Sequence, residues 1–116
     1  MKVYGIKNCS TVKKALAWLD KHQIVYEFHD FKKLGIDEHT LKKWISEVGL
    51  DHLLNRRGTT WRTVPLDIQQ SAVTNEDEAI KLMLEKTSVI KRPVLETSKG
   101  TMLGFDEEKY EAVFDC

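Results

Sequence analysis

Cysteine is scarce in this chain, whose 116 residues include only Cys9 and Cys116, near opposite ends. Small domains that depend on disulfides have several closely spaced cysteines, so this usage predicts no disulfide framework. Two isolated thiols are typical of a reducing cytosol, and we therefore expect a cytoplasmic protein. For Cys116 two roles stay open, a distant resolving thiol and an uninvolved surface cysteine, and we favour the second.

The chain also lacks an excess of charge and any long apolar run. Eighteen basic residues balance eighteen acidic ones, so no overall field attracts nucleic acid or an anionic membrane, and we expect neither as a partner. No apolar run is long enough to span a bilayer, and the N-terminus lacks the layout of a secretory signal. The length predicts one domain with a single core, and we expect a monomer.

Motifs for metals and phosphates are missing as well. The four histidines are scattered and lack the spacing of metal ligands; they are His22, His29, His39 and His52. We find no glycine-rich phosphate loop, no paired carboxylates with acid–base spacing and no nucleic-acid motif. The sequence therefore predicts neither a metal site nor a bound cofactor.

The first third of the chain predicts a βαβ unit. Residues 3–6 form a short apolar run, and the apolar spacing that follows predicts a helix over residues 10–22, with Ser10 or Thr11 near its cap. Residues 25–31 are rich in β-branched and aromatic side chains and predict a second strand. Two strands joined by a helix within about thirty residues are expected to be parallel.

The middle of the chain is predicted to be mostly helical. Asp37 starts a helix with apolar residues at i, i+3, i+4 and i+7 spacing, and Gly49 suits its end. Residues 55–62 predict a polar, basic loop. Thr74, with Asp77 three residues later, resembles a capping box before another helix.

The last part of the chain predicts a hairpin and a final helix. Residues 94–103 have the pattern of two strands around a glycine turn, and Asp106 caps a helix that follows. The order βαβ, helical middle and ββα predicts an α/β protein with a thioredoxin-like fold. Its core is expected at residues 1–34 and 88–116, and an inserted helical subdomain at residues 35–87.

Cys9 lies where the first predicted strand gives way to the first helix. Unpaired backbone N–H groups and the positive end of the helix dipole favour the thiolate there, which is the reactive form. Enzymes that close an internal disulfide have a second cysteine three positions later, where this chain has Val12. If Cys9 reacts, an outside thiol must resolve the product. The alternative is a buried, inert cysteine that packs as a small hydrophobe.

Arg92 and Pro93 stand directly before the third predicted strand. Proline suits the first position of a strand, so simple strand punctuation is one interpretation. The other is a cis peptide facing the cysteine, beside backbone that holds an extended thiol substrate. Arginine binds carboxylates and oxyanions in a forked geometry. We favour Arg92 for this role, whereas Arg56 and Arg62 are more simply a solvated basic surface.

Three segments of the chain carry a resemblance to a known family. They are Tyr4-Gly5-Ile6-Lys7-Asn8-Cys9 with Thr11-Val12-Lys13-Lys14-Ala15, Arg57-Gly58-Thr59-Thr60-Trp61-Arg62, and Lys91-Arg92-Pro93-Val94-Leu95. In their order and spacing they resemble the arsenate reductase (ArsC) family of thioredoxin-like proteins, specifically its YffB-type branch. The resemblance spans almost the whole chain.

This resemblance implies a catalytic cysteine at Cys9. It also implies an anion-binding arginine at Arg92 before a cis-proline, Pro93, and a loop arginine at Arg57. YffB-type proteins are thought to act as thiol reductases with glutathione as a co-substrate. In glutaredoxin-coupled arsenate reductases, the cysteine attacks the oxyanion, glutathione joins the adduct and glutaredoxin releases it.

Our leading hypothesis is a glutathione-dependent thiol-disulfide oxidoreductase with a single active-site cysteine, in which Asn8 and Thr11 line the pocket. Two alternatives remain. One is an arsenate reductase with glutaredoxin as partner, although Gly5 replaces the histidine of those enzymes and Phe105 replaces their third arginine. The other is a non-enzymatic regulator that binds RNA polymerase, as Spx-type relatives do, although Val12 removes the usual Cys-x-x-Cys switch.

Overall fold

The computed structural model describes residues 1–115, and Cys116 lies outside the described residues, so its two predicted roles stay open. The strands are β1 Lys2–Gly5, β2 Glu27–Asp30, β3 Val94–Thr97 and β4 Gly100–Leu103. The helices are α1 Ser10–Lys21, α2 Phe31–Leu34, α3 Glu38–Val48, α4 Leu50–Leu53, α5 Thr59–Thr63, α6 Leu66–Thr74, α7 Glu76–Glu85 and α8 Glu107–Phe114, and Thr87–Val89 form a 3-10 turn. Among these helices, none has the length and hydropathy needed to cross a membrane.

The four strands form one mixed sheet in the order β2-β1-β3-β4. β1 and β2 are parallel, as the βαβ pattern predicts, and β3 is antiparallel to both β1 and β4. The predicted hairpin between β3 and β4 is likewise confirmed. This sheet, with its connecting helices, is the predicted thioredoxin-like fold.

β2 is shorter than the sequence predicts. It begins at Glu27 because β1 offers only four residues for pairing, from Lys2 opposite Glu27 to Gly5 opposite Asp30. Val25, which we expected within the strand, is 87% exposed. Phe31, the expected last residue of the strand, instead begins α2 with a fully buried side chain.

The chain divides into two compact units. The first contains Met1–Phe31 and the segment that begins at Arg92, and the second is Lys32–Lys91, where the sequence analysis places a helical insertion at residues 35–87. In the first unit, one hydrophobic cluster joins the sheet to α1 and α8; it contains Val3, Ala15, Trp18, Leu19, Leu95 and Tyr110. Apolar positions at helical spacing on α1 bury one face of that helix, which fixes its N-terminal end relative to β1.

The second unit is built from helices. α3 begins after Asp37, as predicted, because the Asp37 carboxylate accepts a hydrogen bond of 2.7 Å from the Thr40 backbone N–H. It ends at Gly49, whose φ of +88° suits glycine. Leu41 and Trp44 are fully buried, so the predicted apolar face of this helix is also confirmed.

Two predictions for the second unit are wrong. The expected loop over residues 55–62 contains the start of α5, whose Trp61 is buried. The cap of α7 is Asn75 rather than Thr74, because the Asn75 side chain accepts hydrogen bonds from the backbone N–H groups of Asp77 and Glu78. The Thr74 hydroxyl donates to a carbonyl within α6 instead.

Candidate active site

Cys9 is the N-cap residue of α1. Its backbone is extended, with φ −109° and ψ 124°, and its carbonyl accepts the first hydrogen bond of the helix from the Lys13 N–H at 3.0 Å. An N-cap side chain is the one that faces the unpaired N–H groups of the second and third helical residues. The Cys9 side chain makes no capping hydrogen bond of standard geometry, and it is partly exposed, so its sulfur is accessible to a small reactant.

The surroundings of the Cys9 sulfur favour its charged form. Burial raises the pKa of Cys9, but the backbone N–H of Val12 and the side chain of Arg92 act on the sulfur and lower the pKa. The Thr11 N–H and the positive charge of Arg92 lower the pKa further. The balance holds the pKa of Cys9 below the ordinary value of a cysteine, as expected for a sulfur beside a helix N-terminus and a guanidinium.

Arg92 reaches the cysteine from the segment that leads into β3. The peptide bond between Arg92 and Pro93 is cis, as the resemblance implies, and Pro93 is buried. The Pro93 carbonyl accepts a 2.8 Å hydrogen bond from the Gly104 N–H, and the Gly104 carbonyl accepts a 2.6 Å hydrogen bond from the Tyr110 hydroxyl. These two bonds connect the Arg92 segment to β4 and α8, so the guanidinium is presented by a braced backbone.

The other predicted site residues lie in different surroundings. Asn8 is exposed and directly precedes Cys9, and Thr11 is half-buried on the first turn of α1. Arg57 belongs to the second unit, where it is exposed and its backbone N–H donates to the Asn55 side chain at 3.2 Å. A role for Arg57 and for Asn8 therefore stays a prediction.

A close contact between Gly5 and Val12 was not identified by the sequence analysis. Gly5, the last residue of β1, is buried, and a Cβ built on it would lie 2.9 Å from Cγ2 of Val12. The available sequence signal was the position of Val12, since the third residue of a helix both faces the cap and turns its side chain inward.

The chemistry available to this site is that of a sulfur nucleophile. Over residues 1–115 there is no group of three or more His, Cys, Asp or Glu side chains arranged to hold a metal ion. A thiolate with a lowered pKa attacks disulfides and other electrophilic sulfurs, and the guanidinium beside it can hold an anionic group in a forked geometry.

Comparison with known proteins gives consistent results over the whole chain. The sequence profile of the ArsC family matches residues 4–113. A solved structure of a YffB protein is 46% identical, covers 97% of this chain and 96% of its own, and superposes with a TM-score of 0.90. A solved arsenate reductase (ArsC) related protein from Brucella melitensis is also 46% identical, with 99% and 94% coverage and a TM-score of 0.74.

A more distant sequence relative has a different description. The global transcriptional regulator Spx of Streptococcus mutans is 26% identical over 107 residues, which are 90% of this chain and 76% of that protein. Proteins similar to this chain therefore include one described as related to arsenate reductase and one described as a transcriptional regulator.

Proposed function

The chain belongs to the ArsC family, and from this premise we propose that it is a thiol-disulfide oxidoreductase with Cys9 as its single nucleophile and glutathione as its co-substrate. The observation that carries the proposal is the arrangement around one sulfur. Two backbone N–H groups and the Arg92 guanidinium all act on Cys9 and lower its pKa. A buried, inert cysteine would have an apolar shell and a raised pKa instead.

The proposed reaction is a pair of thiol-disulfide exchanges. The Cys9 thiolate attacks one sulfur of a substrate disulfide, forms a new S–S bond to it and releases the other sulfur as a thiolate. A glutathione thiolate then attacks the mixed disulfide, forms a disulfide with the bound group and returns Cys9 as a thiolate. With a glutathionylated substrate, the substrate leaves as a free thiol, and its glutathionyl group leaves with the one incoming glutathione as glutathione disulfide. Val12 occupies the position of a neighbouring resolving cysteine, so we propose that the second thiol comes from solution.

Several residues are proposed to hold the substrate. Arg92 binds a carboxylate of glutathione or another anionic group, and a role in anion binding for Arg57 stays a prediction. The backbone before Pro93 aligns the peptide part, and Asn8 and Thr11 line the pocket. The reaction needs a thiol pool kept reduced, so we also propose that the protein works in the cytoplasm, in agreement with its cysteine usage.

The direct test is formation of a glutathione adduct, measured by intact mass after incubation with glutathione disulfide. The Cys116→Ser variant should form one adduct, and addition of reduced glutathione should remove it. The matched Cys9→Ser variant, which keeps Cys116, should form no adduct. Absence of an adduct from Cys116→Ser would exclude the proposed chemistry.

Arsenate reduction is less well supported by the residues around Cys9. The position at which glutaredoxin-coupled arsenate reductases carry a histidine is Gly5, and Val12 fills the space that a side chain there would need. Their third arginine corresponds to Phe105, whose ring packs edge-on against Tyr110 with centroids 5.0 Å apart. An assay of arsenate reduction with glutathione and glutaredoxin tests this alternative, and we expect no turnover above background.

A regulatory role is the second candidate, favoured by the similarity to Spx over 90% of the chain. In that case the fold would serve as a contact surface for RNA polymerase and Cys9 would not be needed. Retention of RNA polymerase on the immobilised protein, unchanged by Cys9→Ser, would support it. A lowered pKa of Cys9 is not required by such a role and favours the enzyme.

A further inference from the structure

Gly5 occupies a place where a side chain has no room. A Cβ built on it would lie 2.9 Å from Cγ2 and 3.4 Å from Cγ1 of Val12, and 3.6 Å from the ring of Phe28. The backbone of Gly5 lies outside the left-handed region, so its conformation is open to any residue. Space, rather than conformational freedom, is therefore what requires glycine at this position.

Val12 connects this contact to the reactive sulfur. Its side chain is fully buried against Gly5, and its backbone N–H is the third of α1, one of those that the side chain of the N-cap residue Cys9 faces. Valine is branched at Cβ and has one strongly preferred rotamer in a helix, so its side chain cannot swing aside without moving the backbone. A displacement of the Val12 side chain therefore also displaces the Val12 backbone N–H.

We propose that Gly5 is a positioning residue for the nucleophile. Its missing side chain lets the first turn of α1 approach β1 closely enough for the Val12 N–H to reach the Cys9 sulfur. This inference rests on the proposed function in one respect, that Cys9 is the nucleophile. A Cβ at position 5 would displace Val12, and the attraction between its backbone N–H and a thiolate weakens as the two move apart. Arg92 also acts on the same sulfur, and its contribution stays in place.

The test is the pH dependence of Cys9 alkylation in a double-mutant cycle. All proteins carry Cys116→Ser, so that iodoacetamide reports on Cys9 alone. We expect Gly5→Ala to raise the alkylation midpoint by about half a pH unit, because one of several donors to the thiolate is weakened. In the Val12→Ala background the clash is gone, and Gly5→Ala should then cause no shift. An unchanged midpoint, or the same shift in both backgrounds, would overturn the inference.

Two further variants separate positioning from loss of stability. Leu19→Ala removes buried volume from α1 in the same core and should lower the melting temperature without moving the midpoint. A shift as large as that of Gly5→Ala would contradict the inference. If Gly5→Ala does not fold, Val12→Ile overfills the same contact with Gly5 retained, and it should also raise the midpoint. An unchanged midpoint in a folded Val12→Ile protein would overturn the inference.

This experiment uses no glutathione, so its outcome is distinct from that of the proposed function. A lowered wild-type midpoint without a glutathione adduct would remove the proposed co-substrate and leave the role of Gly5 intact. An adduct on Cys9, together with an unchanged midpoint in Gly5→Ala, would keep the function and remove the role of Gly5.

Discussion

Replacing Arg92 by glutamine removes a charged group that acts on the Cys9 sulfur. Arg92 contributes both a side-chain hydrogen bond and a favourable charge, whereas the two backbone N–H donors of α1 remain in the variant. The pKa of Cys9 is therefore expected to rise but not to reach the value of a fully buried thiol. Arg92→Lys keeps the charge without the forked geometry. The pKa of Cys9 in this variant should therefore lie between its values in wild type and in Arg92→Gln.

The size of this effect follows from the exposure of the site. A hydrogen bond to a charged group contributes about 1.5–3 kcal/mol. Cys9 is partly exposed, so solvent screening reduces the contribution to roughly 1.4 kcal/mol, which corresponds to one pKa unit. At a pH below both midpoints the thiolate fraction then falls about tenfold, but a more basic thiolate is a better nucleophile, so the alkylation rate there falls only about three- to fourfold.

The assay is iodoacetamide alkylation of Cys9 across a pH series in the Cys116→Ser background, followed by intact mass. Lys91→Gln is the matched control, because it removes an exposed positive charge from the neighbouring position. We expect an upward midpoint shift of about one unit for Arg92→Gln and almost none for Lys91→Gln. Equal shifts in the two variants, or no shift for Arg92→Gln, would refute a direct contact between the guanidinium and the sulfur.

Other predictions concern stability. Tyr110→Phe removes a buried 2.6 Å hydrogen bond and should lower the free energy of unfolding in urea by about 1–3 kcal/mol. Tyr26→Phe loses an exposed hydrogen bond and should lower it by less than half as much. Equal losses would contradict a stabilising role for the bond between the Tyr110 hydroxyl and the Gly104 carbonyl. Asn75→Ala should lower the free energy of unfolding by about 1 kcal/mol, and Thr74→Ala should lower it by much less. A larger loss for Thr74→Ala would indicate that Thr74 is the cap. The lowered pKa of Cys9 means that, between its folded and unfolded pKa values, only the unfolded chain holds the proton. The stability of wild type relative to Cys9→Ser should therefore rise with pH across that window and level off above it, and a constant difference would contradict the lowered pKa.

Local patterns were sufficient to predict the elements that surround the site. The N-cap position of Cys9 follows from an apolar strand that ends just before a helical pattern, and the caps at Asp37 and Asp106 follow from their side chains. The parallel pairing of β1 with β2 follows from the short connecting helix. These features depend on residues close in sequence, which is why periodicity and capping rules reach them.

The helices between residues 59 and 74 were harder to predict. α5 is only five residues long, and its buried Trp61 gives no periodic pattern. In α6, Leu66 is 68% exposed and Ile68 is 42% exposed, so its apolar residues do not mark a buried face. Pro65, directly before α6, was the available signal, since proline favours the start of a helix.

The site itself depends on contacts between residues far apart in the chain. The approach of Arg92 to Cys9 requires β3 to lie beside β1, and only the topology supplies that. The contact between Gly5 and Val12 requires the actual distance between a strand and a helix, which no composition or spacing gives. A pattern can name the residues of such a site, but their geometry must come from the fold.

The ionisation of Cys9 tests the central claim most directly. Ultraviolet absorbance of the thiolate, recorded against pH for Cys116→Ser and corrected by the Cys9→Ser/Cys116→Ser protein, gives the pKa of this one sulfur. We predict a midpoint well below the free-cysteine value of about 8.5. A midpoint at or above that value would contradict the account, because a mainly protonated thiol at neutral pH would show that the donors around it do not act on it.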